Sequence, residues 1–227
     1  MNTGDTAFMM ICAALVFFMT PGLAFFYGGL VRRKNVCNTI MACVAIMGLS
    51  VVMWTLFGYS LSFGGNHAGI IGDFRWFGLN GVGMEAGSYA DSIPHLVFCA
   101  FQMMFAMITP ALITGSLVGR MKFKALFLFV AIWSVIVYYP MAHMVWGDGG
   151  FLAAIGSVDF AGGDVVHISS GISALVLAII LGRRRGYEHT TYRIHNIPSV
   201  VLGASLLWFG WFGFNAGSAL KADGLAA

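Results

Sequence analysis

The chain has 227 residues, of which 59% are hydrophobic and 9% are charged, with a formal net charge of +3. Soluble domains typically carry about 25% charged residues, so this composition argues against an ordinary water-soluble protein. The small positive charge is confined to connections between apolar runs, which also argues against a nucleic-acid partner.

Six apolar segments follow one another along the chain. They predict membrane-spanning helices at about residues 6–31, 36–63, 93–118, 123–146, 164–181 and 197–219. Each is near the roughly 20 residues that a spanning helix needs. The six segments therefore predict an all-α membrane protein, with residues 1–227 as one domain. Pro21 and Pro110 lie inside segments and are expected to bend them. The first segment lacks a basic leader, which favours a retained helix over a cleaved signal peptide.

The charges sort by sign between alternate connections. Basic residues cluster at 32–34, at 120–124 and at Arg183, Arg184, Arg185 and Arg193. Most acids occupy the other connections, which include residues 64–92 and the glycine-rich residues 147–163. The aromatic residues and glycines of 64–92 predict an ordered loop. Cytoplasmic loops carry excess Lys and Arg, so the pattern predicts an external N-terminus.

Two groups of aromatic residues have helical spacing. Phe101 and Phe105 are four residues apart and share one helix face. Trp211, Phe214 and Ser218 form a second stripe of two rings and a hydroxyl. Taken alone, each group also fits core packing or lipid contact. If these rings line a pore, they could bind a cation through the negative faces of their π-systems.

Three polar residues near helix ends are candidates for function. His167 lies one turn inside the fifth span, where an ionisable residue is costly and suggests a function; a neutral imidazole bonded to a carbonyl is the alternative. Asp159 precedes the same helix and could cap it or attract a cation. Trp146 closes the fourth span with His143, a position that is also ordinary for an interfacial Trp.

Enzyme signatures are missing from the sequence. It contains no phosphate-binding glycine loop, nucleophile elbow, CxxC or zincin spacing. We therefore expect no enzymatic activity, no cofactor and no metal site. A haem held by His143 and His167 is a remote alternative.

Four stretches carry a resemblance to a known family. The chain resembles the ammonium transporter family (the Amt/Mep/Rh superfamily), on its bacterial Amt-type branch. The matching stretches, in the family's order, are 21–32, 142–147, 159–167 and 210–218. The resemblance implies the first repeat and sixth helix of the eleven-helix ammonium transporter fold. The second pore histidine of that fold has no counterpart here, so we expect either a piece of a longer protein or a half that pairs.

The resemblance also implies roles for particular residues. It assigns an outer ammonium-binding site to Phe101, Phe105, Trp146 and Ser218, and a pore gate to Phe105 and Phe214. It assigns proton relay to His167, structural support of the outer site to Asp159, and pore lining to Trp211.

The implied activity is passage of ammonium or ammonia across the cytoplasmic membrane. Ammonium would be deprotonated, and ammonia would pass through a Phe-gated hydrophobic pore. The implied partners are the lipid bilayer, two further copies in a homotrimer, and a nitrogen regulatory protein of the PII type. The alternatives are an ammonium sensor and an inactive half-transporter.

Overall fold

The computed structural model describes residues 1–184, 186–188 and 191–227. Arg185 of the third basic cluster and His189 of the same connection lie outside the described residues. The described residues hold six helices that are long and apolar enough to cross a membrane. This confirms the predicted multi-pass, all-α architecture.

The helices follow the predicted segments closely. They are α1 (Thr3–Leu30), α2 (36–63), α3 (His95–Leu117), α4 (123–146), the short α5 (Phe151–Ala154), α6 (Gly163–Leu181) and α7 (Ile197–Gly217). The third begins at His95, two residues later than predicted, because residues up to Pro94 form a strand. That strand, β2 (Ala90–Pro94), pairs antiparallel with β1 (Ala86–Gly87) inside the predicted ordered loop.

Three of the long helices contain a π-helical turn. These turns cover Trp54–Gly58 in α2, Ser134–Tyr138 in α4 and Gly163–Ile168 at the start of α6. Such turns are rare and occur frequently at functional sites. Pro21 and Pro110 do not interrupt their helices: α1 remains one helix through Pro21, and α3 remains one helix through Pro110.

Helix α7 packs along α1 at very close range. A Cβ atom placed on Gly203 of α7 would lie 2.3 Å from the backbone nitrogen of Phe26 and 2.6 Å from the carbonyl oxygen of Gly22. In lipid, small residues allow such close backbone approach and support helix association. This contact fixes the position of α7, whose C-terminal end carries Phe214 and Ser218.

The sorted charges occupy opposite ends of the helix bundle. At one end, the Asp5 carboxylate accepts a hydrogen bond from the backbone of Ala222, and Lys221 pairs with Asp91 at 3.5 Å. At the other end, Arg120 donates to the carbonyl of Gly182 at 2.8 Å, and Arg184 donates to the carbonyl of Val118 at 3.1 Å. These arginines satisfy carbonyl groups beyond the ends of α3 and α6, which the helices leave unpaired.

We expect Gly203→Ala to destabilise the protein, because its methyl group would collide with the α1 backbone rather than with a movable side chain. Overpacking of this kind costs about 1–3 kcal/mol. The control is Gly171→Ala in α6, where a new Cβ meets nothing within 4 Å. Thermal unfolding in detergent checks this, and an unchanged melting temperature for Gly203→Ala would contradict the close packing.

Candidate functional site

A cavity of about 290 Å³ lies where α3, α4 and α7 meet the two long connections. Among the described residues, six aromatic side chains line it, together with Gln102, Val145, Ser218 and Leu220; the six are Phe63, Tyr89, Phe98, Phe105, Trp146 and Phe160. We call this space the aromatic cavity. Three predicted site residues, Phe105, Trp146 and Ser218, therefore share one cavity although they come from three different helices or their ends.

The polar groups of the aromatic cavity are arranged to accept hydrogen bonds. The Ser218 hydroxyl donates its single hydrogen to the carbonyl of Phe214 at 2.9 Å, which leaves its lone pairs available. The Trp146 indole N–H is already used, donating to the carbonyl of Asp159 at 3.0 Å. The side-chain oxygen of Gln102 is buried and has no hydrogen-bond partner among the described residues. A cation with N–H groups could donate to the Ser218 oxygen, whereas an anion could not; the Gln102 oxygen is buried away from the cavity space.

Tyr89 adds a neutral wall to the aromatic cavity. Burial raises the pKa of its phenol to about 12, so it stays protonated at neutral pH. Its hydroxyl donates to the carbonyl of Phe63 at 2.9 Å and accepts from the backbone N–H of Asp148 at 3.1 Å. The hydroxyl thus makes one donated and one accepted hydrogen bond, and it ties the 64–92 loop to the end of α4.

Asp159 organises the backbone beside the aromatic cavity. Its carboxylate accepts hydrogen bonds from four consecutive backbone N–H groups, those of Gly162, Gly163, Asp164 and Val165. Those groups open the π-helical turn of α6, so the predicted cap is present. The side chain is partly buried rather than fully enclosed. Through its own carbonyl, Asp159 also holds Trp146 in place.

Two buried rings separate the aromatic cavity from His167. The ring centroids of Phe105 and Phe214 lie 4.4 Å apart, and the side chains are 1% and 2% exposed. On the far side of Phe214, the His167 ring lies 5.9 Å away and stacks on Trp211 at 5.6 Å with an angle of 14°. Among the described residues, the Trp211 side chain is 41% exposed and His167 is also exposed.

Phe101 is the one predicted ammonium-binding residue that does not line the aromatic cavity. It is fully buried, meets Phe105 edge-on at 4.9 Å, and lies against Gly217 of α7. The spacing of four residues does place both rings on one face of α3. The α3 residues that line the cavity are Phe98, Gln102 and Phe105, and Phe101 packs beside them between Phe105 and Gly217.

His143 is committed to structure. It is fully buried, with Nδ1 3.1 Å from the carbonyl oxygen of Ser62 and Nε2 3.2 Å from Oδ1 of Asn66. Both ring nitrogens face protein oxygens, which leaves neither free for an axial bond to a haem iron. The haem alternative therefore loses one of its two ligands.

Sequence patterns alone miss part of the cavity wall. Tyr89 and Phe160 lie in connections, where no helical periodicity identifies a shared face, and Phe63 and Phe98 look like ordinary apolar residues. Gln102 did carry a signal, because it is an amide within a strongly apolar segment. Its buried, unpaired oxygen becomes visible only in the folded chain.

We expect Asp159→Ala to lower stability by at least about 2 kcal/mol, because four backbone donors lose a charged acceptor. Asp164→Ala in the same connection is the matched control, since the Asp164 carboxylate accepts one bond, from Ser157. Thermal unfolding compares the two variants. Equal losses of stability would contradict the role assigned to Asp159.

Known proteins match this chain in both sequence and structure. The sequence profile of the Ammonium Transporter Family matches residues 7–227. The chain is 52% identical to an ammonium transporter of Bacillus subtilis, covering 100% of this chain and 55% of that protein. It is 46% identical to the ammonium transporter Amt1 of Archaeoglobus fulgidus, with the same coverage of 100% and 55%. The chain thus spans about half the length of the curated relatives it matches.

Solved structures agree with the sequence matches. The crystal structure of Candida albicans Mep2 superposes with a TM-score of 0.88 at 33% identity, covering 98% of this chain and 50% of that one. A structure titled "Sensor Amt Protein" gives a TM-score of 0.86 at 30% identity, covering 97% and 56%. The ordered motifs, the matched profile and the superposed helices lead to one conclusion: this chain belongs to the ammonium transporter family.

Proposed function

We propose that this chain takes part in ammonium transport across a membrane, with the aromatic cavity as the recruitment site. One observation carries the proposal. A cavity of aromatic rings that also holds the accepting oxygen of Ser218 is separated from an intramembrane histidine by two rings in contact. Family membership and the names of the curated relatives support the choice of ammonium as substrate.

Recruitment follows from the cost of moving a cation out of water. That cost is several kcal/mol for an ion entering protein interior, even after relaxation. A cation–π contact with desolvated rings can offset about 2 kcal/mol of that cost. The lone pairs of Ser218 add a hydrogen-bond acceptor, with Phe105 and Trp146 as the rings beside it. In this proposal Phe101 and Asp159 support the site without touching the ion.

Passage requires loss of the charge. Phe105 and Phe214 are in contact and would open only transiently, which suits a small neutral molecule better than a hydrated ion. Ammonium can give up a proton, whereas potassium has none to give. A neutral imidazole can accept that proton, so His167 would select by chemistry rather than by size. Trp211 stacks on His167 and would line the next part of the pore.

The setting of the chain is also part of the proposal. The basic end of the bundle faces the cytoplasm, the N-terminus lies outside, and the membrane is the cytoplasmic membrane. The charge separation between the two ends supports this orientation. We further propose a homotrimer and a regulatory partner of the PII type, both on the basis of family membership.

A sensing role is the second candidate. The likeness to the structure titled "Sensor Amt Protein" favours it, at 30% identity and a TM-score of 0.86. A sensor would bind ammonium at the same cavity with little flux. Measuring binding and current on the same preparation separates the two functions.

His167→Ala should abolish ammonium-evoked current, because the pore would lose its proton acceptor. The measurement uses the purified chain in liposomes on a solid-supported membrane. The matched control is His195→Ala, an exposed histidine at the basic end. Unchanged current in His167→Ala would contradict the relay. A wild-type chain that binds ammonium but gives no current would contradict transport by this chain alone.

Ser218→Ala should weaken ammonium binding about ten- to 150-fold, the equivalent of losing one hydrogen bond to a charged group. The control is Ser205→Ala on the same helix. Ser205 makes the same bond to the carbonyl four residues earlier, at 2.9 Å, but is exposed outside the aromatic cavity. Calorimetric titration with ammonium measures both, and equal affinities for the two variants would contradict the role of Ser218.

A further inference from the structure

We infer that the aromatic cavity binds small quaternary ammonium cations, such as tetramethylammonium and choline, which occupy it without crossing. The inference rests on the proposed function in one respect, namely that this cavity is the cation site. It extends that function to a class of ligand that has a positive charge but no N–H group.

The first observation is a mismatch of size. The cavity measures about 290 Å³. An ammonium ion is close in size to a water molecule, whose share of liquid volume is about 30 Å³. Ammonium alone would therefore leave most of the cavity to water, whereas a cation carrying several methyl groups would reach more than one wall at once.

The second observation is the build of the walls. Phe63, Tyr89 and Phe98 form one packed wall, in which Tyr89 and Phe98 stack at 5.2 Å with an angle of 4° and Phe63 meets both edge-on. Phe105 and Trp146 form another, edge-on at 5.8 Å. Tyr89 and Trp146 are held by hydrogen bonds to Phe63 and Asp159. These rings are thus held in place before a ligand binds. Proteins recognise quaternary ammonium groups with cages of aromatic rings.

The third observation is the balance of rings and oxygens. Six rings line the described part of the cavity, while Ser218 contributes a side-chain oxygen without a competing donor directed to it. An ammonium ion has four N–H groups, each of which needs an acceptor when desolvated. A quaternary cation has none, and its methyl groups gain from burial against apolar surface. Contact of methyl groups with the six rings therefore favours a methylated cation in this cavity.

A bound quaternary cation would be held at the cavity. Phe105 and Phe214 close the far side with centroids 4.4 Å apart. The ion has no proton to give to His167, so it cannot become neutral as ammonium can. Quaternary cations should therefore compete with ammonium for binding.

Isothermal titration calorimetry on the purified chain in maltoside detergent tests the inference. The ligands are choline, tetramethylammonium, ammonium and 3,3-dimethylbutan-1-ol, the uncharged isostere of choline. We expect saturable binding of both quaternary cations, displacement by ammonium, and at least tenfold weaker binding of the isostere.

Trp146→Leu should weaken choline binding at least tenfold. Trp208→Leu should leave choline binding unchanged, because Trp208 is 74% exposed and lies outside the cavity. Phe160→Leu is a second cavity variant; Phe160 is 46% exposed, so its loss should weaken binding without unfolding the chain.

The outcomes separate this inference from the proposed function. Ammonium binding without choline binding would overturn the inference and leave the proposed function standing. Choline binding without ammonium binding would support recognition of quaternary cations by the aromatic cavity and overturn ammonium recruitment. Equal binding of choline and its isostere would overturn cation recognition, because the cavity would then be selecting for apolar shape alone.

Discussion

The arrangement of the site depends on one carboxylate. Asp159 accepts four backbone N–H groups at the start of α6 and, through its carbonyl, holds the indole of Trp146. A charge in a membrane protein is costly unless its bonds are satisfied, and here one residue satisfies an entire helix start. The same bonds set the positions of Trp146 and of the turn that carries His167. The outer and inner parts of the proposed pathway therefore share a single anchor.

The second constraint is the close contact of α1 and α7. Gly203 allows the backbones of α1 and α7 to approach closely. This contact sets the position of Phe214 and Ser218 along α3. Phe214 then meets Phe105, and Ser218 turns its lone pairs to the cavity by donating its own hydrogen backwards along the helix. Packing and chemistry are thus coupled, because one end of α7 supplies both the closing ring of Phe214 and the acceptor oxygen of Ser218.

Much of this could be predicted from the chain itself. Six spans, the sorted charges and the cap by Asp159 follow from composition, length and local hydrogen bonding, which are properties of short segments. The shared cavity of Phe105, Trp146 and Ser218 was expected only through family resemblance, because helical spacing relates residues within one helix and says nothing about pairs from different helices. Spacing correctly placed Phe101 on one face with Phe105, but it could not show that Phe101 packs against Gly217 outside the cavity lining.

The sequence by itself determined the membrane architecture and the candidate residue types, because hydrophobic length and charge placement act locally along the chain. Only the tertiary structure decided which rings surround the cavity, that Tyr89 and Phe160 reach it from connections, and that the oxygen of Gln102 is buried without a partner. It also showed that His143 is occupied by Ser62 and Asn66 while His167 is not enclosed. These facts depend on distances between segments far apart in the chain, and such distances are set by packing.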